Sequence, residues 1–234
     1  MSANQDYQIT YYAKAHSYLD YKDTNFVNHV VQSTIHKAGL RKKDKILEIG
    51  AGSGRFTIPL LKSGFRITAL ELSSHMVNRL KKVARLYQGR LSVVNQDLFS
   101  VNDKWNRQFD VILGFHVLHH IDDLEGCFAS LYRMLKPGGQ VIFTEPNILN
   151  VLYYVQLAIE KDLTWRGEKG YVNLRKKYLG DLLKKAGFKK ICFSRYGVLP
   201  HALMNHSFGP RLGRLLEKVP FPPMKLYLCI QAEK

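Results

Sequence analysis

Short, nearly all-apolar runs alternate with amphipathic stretches along most of this chain. Phe26, Val27, Val30, Val31, Thr34 and Ile35 recur at helical spacing, and Gly39 marks the stop. Apolar runs at 45–50, 66–70, 91–95, 109–114 and 140–145 read as buried strands. Between them 56–63, 74–87 and 122–135 read as helices, the last stopped by Pro137-Gly138-Gly139. Strands apolar on both faces, alternating with helices, predict a parallel sheet with helices on both sides. The rhythm then breaks. An apolar, aromatic helix at 147–160 precedes a helix at 176–186 and a strand at 190–195. A looser stretch holds a helix near 211–218, and 225–232 is a last strand. With no repeat, low-complexity tract or linker, 1–234 reads as a single domain.

Composition changes little of this. Apolar residues make up 46% and charged residues 23%, as in an ordinary globular protein. No apolar run is long enough to span a membrane, and the N-terminus lacks the layout of a signal peptide. The three cysteines, Cys127, Cys192 and Cys229, have no metal-ligand spacing. They read as buried, reduced thiols of a cytoplasmic protein, and no metal site is expected. Charge is the exception: 35 Lys and Arg face 19 acids, for a net +16. Such a field attracts nucleic acid, an anionic membrane or an acidic substrate, unless it only solvates helix faces.

The candidate chemistry sits where strands end, because ligands of open parallel sheets bind beyond the strands' carboxyl ends. After the first strand come Gly50, Ala51, Gly52, Ser53 and Gly54. A Gly-rich turn there suits dinucleotide enzymes too, but their G-x-G-x-x-G spacing is not met: position 55 is Arg. Glu48 lies within the strand itself. Glu71 ends the second strand, where a carboxylate can accept from both hydroxyls of a ribose. The third strand is followed by Asn95-Gln96-Asp97-Leu98. The fourth runs into Gly114-Phe115-His116-Val117-Leu118-His119-His120, and Leu135-Lys136-Pro137-Gly138-Gly139 leads to a fifth ending at Glu145.

Taken in order, Glu48-x-Gly50-x-Gly52-x-Gly54, Glu71, Asp97 and the two later segments resemble class I S-adenosylmethionine-dependent methyltransferases. The likeness is to the small-molecule branch that includes ubiquinone and menaquinone methylating enzymes, and it is good over about residues 40–145. It implies an α/β fold: a Rossmann-like, doubly wound sheet of seven strands, helices on both faces, and a small helical cap over the acceptor. The last strand would be antiparallel, inserted between the fifth and sixth. The cofactor implied is S-adenosyl-L-methionine. Gly50, Ala51 and Gly52 would line its methionine part, and Glu48 would hold its ammonium. Glu71 would bind ribose, with Leu72 and Met76 against adenine. Asp97 and Leu98 would bracket the base, and Phe115 and His116 would flank the sulfonium. For Leu72, Met76 and Leu98, simple core packing competes with that role.

On the acceptor side the candidates are His116, Glu145 and Tyr12, with His119, His120, Tyr11 and His16 behind them. His116 lies next to the transferred methyl group and can act as a base near neutral pH, or only shape the pocket. Glu145 can face the acceptor or orient a loop. Tyr12 would belong to an N-terminal lid over 1–25. Segments 146–172 and 196–224 would cap the acceptor, and their apolar content argues for a hydrophobic or aromatic metabolite. Two alternatives stay open. Nucleic-acid methylation fits the charge, but the N/D-P-P-Y/F tetrapeptide of base-amine methylation is absent after the fourth strand. A membrane-peripheral lipid or quinone methyltransferase would use basic segments 79–90 and 175–190 with apolar 151–159.

Overall fold

The computed structural model describes residues 6, 7, 9–11, 21–101, 103–159 and 169–234. Helix α1 (Asn25–Ala38) leads into β1 (Ile46–Ile49), α2 (Thr57–Lys62), β2 (Ile67–Glu71), α3 (Ser74–Val83) and β3 (Leu91–Asn95). Next come β4 (Phe109–Phe115), α4 (Leu124–Met134), β5 (Leu135–Pro146), α5 (Val151–Ile159), α6 (Lys176–Lys185) and β6 (Lys189–Tyr196). Helices α7 (His201–Met204) and α8 (Gly209–Glu217) precede β7 (Tyr227–Glu233).

The seven strands form one sheet in the order β3-β2-β1-β4-β5-β7-β6. Strands β1 to β5 pair in parallel, and β7 runs antiparallel between β5 and β6. Strand order therefore reverses between β1 and β4, and a crevice opens there at the carboxyl ends. Alternation along the strands feeds two cores. Leu47, Ile112 and Phe143 pack toward α4 and α6. Ile46, Val111, Leu113 and Ile142 pack toward α1, α2 and α3. Both sheet faces are thus buried, as the continuous apolar runs require.

Local chemistry sets the helix ends. Thr24 accepts from the Val27 amide at the start of α1, and Gly39 closes it in the left-handed conformation with φ 57°. Ser73 and Asp123 cap α3 and α4 in the same way.

Several boundaries differ from the sequence expectation. The helix at 74–87 is α3 followed by a separate 3-10 turn, Arg85–Tyr87. Helix α4 starts at Leu124 because Asp123 is its cap. Strand β5 begins at Leu135 rather than 140: Leu135 pairs with Phe109, and Pro137-Gly138-Gly139 is taken up in an irregularity beside β4. The segment from 147 becomes helical only at Val151, because Asn147 and Asn150 fold into a capping turn. The last strand starts at Tyr227. Cys127 and Cys229 are buried as expected, but Cys192 is exposed, since β6 forms the sheet's edge.

Candidate functional site

The loop after β1 is anchored to the end of β2. Gly50 N–H and Ala51 N–H both donate to the Leu70 carbonyl, at 2.9 and 3.3 Å. Gly52 N–H donates to Glu71 Oε2 at 2.8 Å, and Ser73 N–H donates to Glu71 Oε1 at 2.8 Å. Gly50, Gly52 and Gly54 have φ of 65°, 55° and 95°, a region that glycine enters without strain. They differ in surroundings. A Cβ on Gly50 would run into the Val117 side chain, and one on Gly54 would crowd Leu80. A Cβ on Gly52 would meet nothing within 4 Å. The backbone at Gly52 therefore borders open space beside the Glu71 carboxylate.

Glu48 points from β1 into the core on the α2 side. It is 2% exposed, and its Oε2 has no hydrogen-bond partner among the described residues. The Thr57 hydroxyl is near enough to favour the ionised form, yet does not itself reach hydrogen-bond geometry. Burial, opposed by Thr57 and reinforced by the Glu71 charge, pushes the Glu48 carboxyl up to about 8. Burial also raises Glu71, against the backbone amides that favour its charge. A buried carboxylate oxygen without a donor beside a glycine loop is a feature that calls for an explanation.

The next two strand ends complete one wall. Asn95, given no role by the sequence reading, donates from Nδ2 to the carbonyls of Glu71 and Leu72, each at 2.9 Å, and so fixes the turn after β2. Asp97 is half-buried and its Oδ1 accepts from the Phe99 amide at 3.3 Å. Met76 and Leu98 are buried, and Leu72 is half-buried.

His116 follows β4 with φ 53°, a left-handed conformation uncommon outside glycine. Its ring is parallel to that of Phe56 (5.8 Å between centroids, 5° between planes) and edge-on to Tyr227 at 5.3 Å. Phe115 stacks on Phe56 at 4.5 Å. Neither Phe56 nor Tyr227 stood out in the sequence, where each reads as an ordinary core aromatic.

Glu145 explains how the turn at His116 is held. Its Oε1 accepts from the amides of Val117 and Leu118, each at 2.9 Å, and its Oε2 lies 2.6 Å from His119 Nδ1. The side chain is fully buried, and both its oxygens point at the β4 turn. Among the described residues, Glu145 therefore orients the loop that carries His116. His120 packs its ring 4.0 Å from that of His119. Tyr11 stacks on Tyr7 at 5.9 Å. Tyr12, His16 and most of the expected lid lie outside the described residues.

A family model described as a methyltransferase domain matches residues 24–192. The chain belongs to this family. Ubiquinone biosynthesis O-methyltransferase of Coxiella burnetii is 25% identical over 126 residues, 54% of this chain and 53% of that protein. Malonyl-acyl-carrier-protein O-methyltransferase of Priestia megaterium is 30% identical over 132 residues, 56% of this chain and 42% of that protein. The match thus spans about half the length of these curated relatives. Among solved structures, the fold resembles a possible histamine N-methyltransferase of Thermotoga maritima: TM-score 0.58, 20% identity, 89% of this chain and 91% of that one. It also resembles phosphoethanolamine N-methyltransferase 2 of Haemonchus contortus, solved with S-adenosylhomocysteine: TM-score 0.61, 18% identity, 88% of this chain and 52% of that one. The seven-stranded sheet is that of the methyltransferase fold.

Proposed function

We propose that this chain binds S-adenosylmethionine at the ends of β1 to β4 and directs its methyl group to a small hydrophobic or aromatic acceptor. The observation that carries the reading is the meeting of Glu48, Gly52 and Glu71: an undonated buried carboxylate oxygen, an open glycine backbone and a carboxylate at the next strand end. This set fits the cofactor's three recognisable parts. Glu48 would take the ammonium, the Gly50–Gly52 backbone the methionine carboxylate side, and Glu71 the ribose hydroxyls. Asp97 would accept from the adenine amine, with Leu72, Met76 and Leu98 against the base.

When bound, the cofactor supplies an electrophilic methyl group on a sulfonium. The protein's task is then to align the acceptor and exclude water. Phe115 and Phe56 would form an apolar wall beside that methyl group, with His116 presented at its edge. His116 would remove the acceptor's proton where the acceptor carries one. Tyr12, within an N-terminal lid, and the caps over 146–172 and 196–224 would close the acceptor side. We place the protein in the cytoplasm, peripheral to an anionic membrane when its acceptor is lipid-soluble.

Calorimetry with S-adenosylmethionine, followed by a labelled-methyl screen of metabolite extracts, tests the reading. Saturable binding with transfer into an apolar fraction supports it. No binding by the folded chain overturns it.

A further inference from the structure

The cap carries a surface that neither cofactor nor core accounts for. Helix α8 buries Gly209 and Gly213, which pack with Leu212 and Leu216 against Val198, Leu199 and Met204. Its opposite face is Arg211, Arg214, Leu215 and Lys218, spaced i, i+3, i+4, i+7, and all four are exposed. Leu215 is 64% exposed. At the helix's two ends stand the exposed Phe208, Val219, Phe221 and Met224.

A second apolar group adjoins the first. Leu149, Val151, Leu152, Tyr154 and Val155, at the start of α5, are exposed. Three contacts staple that start to the end of the α8 segment. Asn147 Nδ2 donates to the Pro222 and Lys225 carbonyls, each at 2.8 Å, and Asn150 Nδ2 donates to Lys225 at 3.0 Å. Lys225 Nζ in turn donates to the Glu217 carbonyl, the last of α8, at 2.6 Å.

The charges are one-sided. From 196 to 226 the sequence has Arg211, Arg214, Lys218 and Lys225 against one acid, Glu217, and 146–159 has no charge at all. Glu217 is consumed internally, accepting from Gly197 N–H and pairing with Lys225. Exposed apolar side chains among unneutralised cations match an anionic lipid surface: the apolar groups enter the headgroup boundary and the cations meet phosphates. Nucleic acid would use the arginines but leave Leu215, Phe221 and the α5 residues with nothing to bury them.

We propose that α8, the loop after it and the start of α5 seat the protein on an anionic bilayer. The seat adjoins the acceptor side, because Pro146 pairs with Tyr227, whose ring faces His116. An apolar acceptor would enter there from the bilayer, a statement that rests on the methyltransferase reading; the docking itself does not. The basic segment 79–90 is not part of this face: α3 lies over β2 and β3, at the far end of the sheet.

The test is sedimentation of the full chain with phosphatidylcholine vesicles, with and without about one-third phosphatidylglycerol, at low and high salt. Binding is expected only to the anionic vesicles, weakened by salt. Each surface cation is worth about fivefold in partitioning, so Arg211→Ala with Arg214→Ala lowers it about 25-fold. Leu215→Asp and Phe221→Asp abolish it. All four residues are exposed, so melting temperature and S-adenosylmethionine binding stay unchanged. No anionic-vesicle binding at low salt, or variants that bind as well as the parent, overturns the proposal. So does tighter, Arg211-dependent binding to an RNA duplex, or a dimer that Leu215→Asp breaks without any vesicle binding. Loss of cofactor binding alone would overturn the methyltransferase reading and leave the docking result intact.

Discussion

Glu71 Oε2 accepts a hydrogen bond from the Gly52 amide at 2.8 Å, so the end of β2 holds the turn after β1 in shape. The same carboxylate is the group expected to take the ribose hydroxyls. Glu71→Ala removes both functions. Two hydrogen bonds to a charged acceptor are worth about 3–6 kcal/mol, so affinity for S-adenosylmethionine should fall at least about 100-fold. Calorimetry on the folded variant measures this, and unchanged affinity would mean that the site lies elsewhere.

Gly50 and Gly52 share a left-handed backbone and should fail differently. At Gly52 an added side chain meets open space, so Gly52→Val keeps the fold, losing about 1–2 kcal/mol to backbone strain. On the proposed reading it fills the cofactor's place and should abolish binding. At Gly50 the new Cβ collides with Val117, so Gly50→Ala should destabilise the chain beyond that strain. Thermal melts and calorimetry on both variants separate the effects. A Gly52→Val protein that binds normally would refute the loop assignment.

Glu48 makes stability and binding depend on pH in opposite directions. Its carboxyl is raised from 4.5 to about 8 in the folded chain. A raised pKa gives stability that is complete below the unfolded value and is lost as pH rises through the folded one. The unliganded protein should therefore lose stability between about pH 4.5 and 8, by a few kcal/mol at most, then level off. Glu48→Gln should remove that slope. Binding of a cofactor ammonium favours the ionised carboxylate, so affinity should rise toward pH 8, by up to about tenfold per pH unit. Denaturant titrations and calorimetry across pH 5–9 check both; a flat affinity profile would show that Glu48 does not meet the ammonium.

The sheet was legible because most strands are short apolar runs and three of the helices begin at a capping side chain. Thr24, Ser73, Asp123 and the stop at Gly39 behave as local chemistry dictates. The candidate residues on the proposed cofactor side could be picked out for a similar reason: Glu48 lies within β1, Gly52 just beyond it and Glu71 at the end of β2, positions the periodicity already reveals. The acceptor side was not. That Phe56, Tyr227 and His116 share one aromatic cluster depends on β7 entering beside β5, a contact between segments far apart along the chain. Nor can a sequence tell whether a carboxylate such as Glu145 faces a cavity or a backbone turn, because the partners of Glu145 are amides that every residue carries.

Glu145 and His116 provide the sharpest separation of positioning from catalysis. Glu145 supports the Val117 and Leu118 amides and meets His119 Nδ1 at 2.6 Å, beneath the left-handed His116. Glu145→Ala leaves two buried donors unsatisfied and should destabilise the protein by about 2–5 kcal/mol. Glu145→Gln keeps an acceptor for the two amides and turns an N–H₂ group toward His119, which can accept in the complementary tautomer. It should cost about 1 kcal/mol and retain much of the methyl-transfer rate. His116→Ala should differ in rate: a Cβ still sits in the left-handed region and the ring contacts with Phe56 and Tyr227 are lost, costing about 1–3 kcal/mol, while kcat falls on the order of 100-fold for an acceptor that must lose a proton. Melting temperatures with single-turnover rates distinguish the two residues. If Glu145→Gln abolished transfer without loss of stability, Glu145 would be reacting with the acceptor rather than shaping the turn beside it.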